Sequence, residues 1–140
     1  MTAKEIKEMA LNCGACELIN SSESIADLVS LMCTPQGREF CKKHRFPTID
    51  ILRQHKAELA AMNVYVDAGI IELEDTENLV LAGATSAIVR YKSTDKPYHM
   101  IVMHGASAKI TAYGYSICQV TNINGRVEYH TSKNASVFIK

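Results

Sequence analysis

The feature that most constrains this chain is a run of nine short β-prone segments in its second half. They are Val64-Tyr65-Val66, Ile70 to Leu73, Asn78 to Leu81, Ala87 to Tyr91, His99 to Met103, Ala108 to Thr111, Ser116 to Val120, Arg126 to Tyr129 and Ser136 to Ile139. Valine, isoleucine, threonine and tyrosine dominate them, as pleated, half-buried strands require. Their centres recur at roughly eight to ten residues, with one longer step across Lys92 to Tyr98. Glycine, asparagine, aspartate and serine fill the gaps. Between Ala106 and Tyr113, apolar residues hold the even positions and polar or amphipathic ones the odd positions. That period of two describes a strand with one buried face. The buried face is mostly alanine, so its opposing wall must come close.

Two architectures make regular short strands: an antiparallel sandwich and a coil-on-coil solenoid. Three features favour the solenoid. The segments are very short, the inward residues are small, and Gly83-Ala84-Thr85, Gly105-Ala106-Ser107 and Asn134-Ala135-Ser136 recur ahead of strands. Against it stand an irregular repeat and Lys92 to Pro97, which must bulge out of the stack. The expected fold is therefore α+β, a short-helix cap over residues 1–61 followed by a parallel β-solenoid over 62–140. The alternative is an antiparallel β-sandwich with the same helical cap.

The first half reads as helices with clear start signals. Thr2 with Glu5 is a capping-box pair, and Ile6, Met9 and Ala10 follow at helical spacing. A short helical turn is expected to carry Cys16, Leu18 and Ile19. Ser21, Ser22 and Ser24 offer caps for a stripe of Ile25, Leu28, Val29 and Met32. Thr34-Pro35 opens a further helix, which Gly37 weakens. Phe46-Pro47-Thr48 ends it and starts the last, carrying Ile49, Leu52 and Leu59. A stacked coil leaves strand edges and core exposed at both ends. The helices are expected to plug the first rung, while the last, Ala135 to Lys140, finishes apolar and bare.

The alanine-rich units Gly105 to Tyr113 and Asn134 to Val137 resemble the coils of small bacterial and phage right-handed parallel β-helix proteins. The likeness spans about residues 62 to 140. It implies a fold and brings no activity or catalytic residue with it, since such proteins include adhesive, scaffolding and phage-related members.

Composition narrows the function classes. The 140 residues carry 15 basic and 15 acidic side chains, for a net charge of zero. A general electrostatic pull toward nucleic acid or anionic membrane is therefore missing. The basic group Arg38, Lys42, Lys43, His44 and Arg45 reads as a solvated helix end. No apolar run reaches the roughly 20 residues of a membrane span, and the first residues lack a signal-peptide pattern. Five cysteines without such a signal point to a reduced, cytoplasmic setting.

The chemical candidates are few. Cys13 and Cys16 form a CxxC, and Cys41 with His44 supplies a second close pair, with Cys33 nearby in sequence. Zinc needs such soft ligands converging on one point, so it is the one cofactor these residues could hold. The competing reading makes the cysteines small apolar core residues. Cys118 with His104 is the only thiol–imidazole pairing worth naming, while His99 and His130 read as coil-edge residues. Asp67, Glu72, Glu74, Asp75 and Glu77 would serve glycoside hydrolysis only across a cleft. They read more simply as solvated turns. Tyr65, Tyr91, Tyr98, Tyr113, Tyr115 and Phe138 are candidate outward aromatics, and Tyr113, Tyr115 and Phe138 form the expected contact surface. The expected function is a non-enzymatic binding or assembly module with no cofactor, engaging a protein partner or itself. The alternatives are a helical zinc-binding module stabilised by the β-rich half and, third, a carbohydrate-active β-helix.

Overall fold

A computed structural model of the chain describes residues 1–15, 19, 23–132 and 134–140. Among the described residues five helices come first: α1 (Ala3–Asn12), α2 (Ile25–Met32), α3 (Pro35–His44), α4 (Ile49–Gln54) and α5 (Lys56–Ala60). Nine strands follow: β1 (Val64–Val66), β2 (Gly69–Glu74), β3 (Leu79–Ala82), β4 (Thr85–Tyr91), β5 (Tyr98–Met103), β6 (Ser107–Ala112), β7 (Ile117–Asn122), β8 (Arg126–Thr131) and β9 (Ser136–Ile139).

The odd strands form one sheet in the order β1-β3-β5-β7-β9, and the even strands form a second, β2-β4-β6-β8. Every pairing is parallel. The chain therefore winds as a solenoid of four full turns and one extra strand, and the antiparallel alternative is set aside. The chain advances 16 residues from Val64 to its partner Val80, 21 from Leu79 to Met100, 20 from Tyr98 to Cys118 and 19 from Ile117 to Ser136. The 21-residue step contains the expected bulge. Its start is pinned by the Asp75 carboxylate, which accepts from the Lys92 and Ser93 amides at 2.7 and 3.1 Å. Ion pairs Lys92–Glu74 (2.8 Å) and Lys96–Glu77 (2.6 Å) tie the loop to the rung below.

Between the sheets, side chains stack in columns along the solenoid. Ala87 pairs with Ala108 and Ala108 with Val127, while Val89 pairs with Ile110 and Ile110 with Tyr129. The inward parity of Ala106, Ala108, Ile110, Ala112, Cys118 and Val120 is as the alternation requires, and all are buried. The interior is not uniformly slim. Tyr91 and Tyr98, named above as candidate outward aromatics, lie inside it, stacked with ring centroids 4.6 Å apart.

The helical starts follow the sequence. Thr2, Ser24, Thr34 and Thr48 each cap a helix by accepting an amide hydrogen bond, from Glu5, Asp27, Gly37 and Ile51 respectively. The expected last helix breaks at His55 into α4 and α5. The helical turn expected around Cys16 and Leu18 lies outside the described residues.

One expectation fails. The helices do not plug the bottom of the stack; they lie along the outer face of the odd-strand sheet. Met32, Cys41, Leu52 and Leu59 pack on Val64, Val66, Val80, Ala82, Ile101 and Met103. The physical reason is that β1, β3 and β5 carry apolar residues on both parities, so their outer face needs cover as much as their inner one. Strands β6 and β8 alternate and leave a polar outer face in solvent. Further bonds seat the helices: Arg53 Nε to Asp67 at 2.7 Å, and His104 Nε2 with the Pro47 carbonyl at 2.7 Å.

Candidate functional site

Three surfaces could carry function. The first is the exposed end of the solenoid. Val127, Tyr129, Val137 and Ile139 continue the inward columns into the last rung, as their partners Ala108, Ile110, Cys118 and Val120 show. Among the described residues no further strand covers them. Tyr129 is 54% exposed and Ile139 42%, while Ile110 beneath Tyr129 is buried. The free edges of β8 and β9 flank this apolar plate. At the opposite end the inward residues Tyr65, Ile71 and Leu73 are half-buried.

The second surface holds the predicted contact residues. Phe138 projects from the outer face of β9 and is 56% exposed; Ile117, on the same face of β7, is also exposed. The helices cover chiefly β1, β3 and β5, and α3 also approaches β7. Tyr113 and Tyr115 stand on the turn between β6 and β7, around Gly114, and both are exposed. The Ser116 hydroxyl, fully buried, anchors that turn within 2.8 Å of the Tyr113 carbonyl and 3.1 Å of the Tyr91 carbonyl.

The third surface was not foreseen. The helices and β1 line a half-open cavity of about 400 Å³. Its wall is overwhelmingly apolar, with Ile6, Ala10, Leu28, Phe40, Leu52 and Val64 among its residues. Among the described residues, the polar side chains on it are Thr34, Gln36 and His55, and no Lys, Arg, Asp or Glu lines it. Both His55 ring nitrogens already have partners, the Met1 carbonyl at 2.7 Å and the Glu58 carboxylate at 3.2 Å. The Thr34 hydroxyl donates to the Leu31 carbonyl at 2.6 Å. Water entering it would find few hydrogen-bond partners.

The chemical candidates disperse. Cys13 is exposed, Cys16 lies outside the described residues, and His44 is exposed against the Phe40 ring. Cys41 is buried, and burial pushes its thiol up to about 12. Among the described residues no three His, Cys, Asp or Glu side chains converge as a metal would need. Cys118 is buried between the sheets, its thiol likewise pushed up to about 12 by burial, while His104 bonds to the helical region. Of the acidic residues, Asp67 binds Arg53 and the Ala84 amide, and Asp75, Glu74 and Glu77 hold the bulge. Glu72 stands in the same outward column as Ile88 and Lys109. The basic group occupies the last turn of α3, with Lys42, Lys43, His44 and Arg45 exposed. No described helix is long and apolar enough to cross a membrane.

No family model matches this chain, and neither a curated protein nor a solved structure matches it.

Proposed function

We propose that the protein is a binding and assembly module, and that the last rung of its solenoid joins a second copy of the chain. The observation that carries this reading is the inward column that continues into the last described rung: Val127, Tyr129, Val137 and Ile139 face the axis with no described residue stacked above them. Apolar groups gain about 25 cal/mol per Å² when water is removed from them, so this plate favours a cover. Two free strand edges border it, one from each sheet. A partner must therefore present two edges at the same separation. The same end of a second copy does so through a two-fold axis, with the strands meeting antiparallel.

Charge supports the match. Arg126 and Glu128 flank Val127 on the edge strand β8. Antiparallel pairing of β8 with its own copy about Val127 sets Arg126 of one chain opposite Glu128 of the other, an arrangement that stabilises cross-strand pairs.

Light scattering across a concentration series tests this. The wild type is expected at twice the chain mass, and Tyr129→Lys and Val137→Lys at the chain mass with circular dichroism unchanged. An aromatic anchor at the centre of an interface is worth about 2 kcal/mol or more, about thirtyfold in affinity. A wild type that stays monomeric at high concentration, or a dimer that both variants retain, overturns the reading.

A further inference from the structure

We infer that the cavity between the helices and β1 is a binding site for an uncharged, lipid-like molecule with a single alkyl chain. It is independent of the solenoid end. A cavity near 150 Å³ lined by aliphatic and aromatic groups holds one benzene, so about 400 Å³ accommodates roughly a dozen or more carbon atoms. That volume falls within the range of small-molecule sites. Ile6, Leu28, Phe40, Phe46, Leu52 and Leu59 offer dispersion contacts on several sides.

Charge decides the chemical class. Among the described residues the wall carries no Lys, Arg, Asp or Glu; its titratable side chains are His55, whose nitrogens are both engaged, and Cys41, whose thiol burial keeps neutral. A carboxylate or phosphate head drawn inside would be desolvated without a counter-ion. A hydroxyl or ester head loses far less. The cavity therefore selects a neutral head on an apolar tail, and a fatty alcohol is preferred to the fatty acid of equal length.

The site also sits apart from the surfaces proposed for assembly. Cys41 and Val64 line it and also belong to the cluster that binds the helices to the odd-strand sheet. An occupant would thus tighten the seat of the helices on that sheet, and its binding is expected to raise the thermal midpoint.

The test uses the intact chain and N-phenylnaphthylamine, an uncharged fluorescent probe. Saturable binding is expected, with displacement by dodecanol at lower concentration than by sodium dodecanoate. Leu28→Trp, which fills the cavity from one wall, is expected to weaken the probe at least tenfold while circular dichroism is retained. Val29→Trp, on the adjacent wall, carries the same expectation should the first variant misfold. Tyr129→Lys, at the far end of the solenoid, should leave the probe affinity within about twofold. Absence of saturable binding overturns the assignment. So does affinity unchanged in both tryptophan variants, loss of binding in Tyr129→Lys, or dodecanoate displacing the probe better than dodecanol.

Discussion

Replacing Ala108 with leucine tests the parity on which the whole solenoid depends. Ala108 is buried on the inner face of β6, between Ala87 on the rung below and Val127 on the rung above. Rungs repeat at about 4.8 Å, so a larger side chain cannot move along the column without meeting one of these neighbours. Leucine adds three carbon atoms to a close-packed interior, and overpacking of this kind costs about 1–3 kcal/mol. For a chain of this length one kcal/mol moves the thermal midpoint by roughly 3–5 °C, so the expected loss is about 3–15 °C. Lys109, one residue on, points out of the same strand and is exposed. Lys109→Leu should therefore stay within about 0.5 kcal/mol of wild type. Differential scanning calorimetry on both variants gives the comparison. A neutral Ala108→Leu beside a destabilising Lys109→Leu would mean that the strand is slipped by one residue, and the inward and outward columns would exchange.

Other perturbations probe the remaining parts. Nδ1 of His99 is buried without a partner, and desolvation, then the Arg38 guanidinium, holds its pKa below the ordinary 6.5. The unfolded chain then binds this proton more readily than the folded one, so stability is present above pH 6.5 and falls as pH drops through the imidazole range. His99→Gln should flatten that fall between about pH 7 and about pH 5 in denaturant titrations; an unchanged slope removes His99 as the cause. Burial pushes the Cys41 and Cys118 thiols up to about 12, so both stay protonated and unreactive near neutral pH. Alkylation followed by mass spectrometry should mark Cys13 long before either; early labelling of Cys118 would place it outside the core. A Cβ at Gly37 would overlap the Leu31 carbonyl oxygen, where α3 crosses the end of α2. Gly37→Ala should cost about 1–3 kcal/mol although alanine is the better helix former. A stabilised variant would contradict that crossing.

All nine strands were legible because each is short, β-branched and bounded by turn residues, and because alternation such as Ser107 to Ala112 assigns a face to every side chain. The capping hydroxyls of Thr2, Ser24 and Thr34 were legible for a similar reason: their chemistry is local. Where the helices dock was not read, although a signal existed. Leu79-Val80-Leu81-Ala82 and Met100-Ile101-Val102-Met103 are apolar on both parities, and a strand with two apolar faces needs cover on both sides. Taken with the amphipathic helices, those runs place the helices against the flank. The aromatic residues divide by context that one strand's pattern does not carry. Tyr91 lies at the end of β4, where its hydroxyl reaches the Thr76 carbonyl at 3.3 Å, and so it can be buried. Tyr115, on a turn, is exposed. The cavity was beyond the sequence, since its volume depends on how five short helices are spaced and not on what any one of them contains.

Hydrogen–deuterium exchange across a dilution series is the most direct test of the claim that the final rung is a contact surface. Amides of residues 126–131 and 136–139 are expected to gain protection as concentration rises, while those of β2 at the opposite end keep their exchange rates. Equally fast exchange in β8 and β9 at every concentration, or protection that appears on β2 instead, would contradict it.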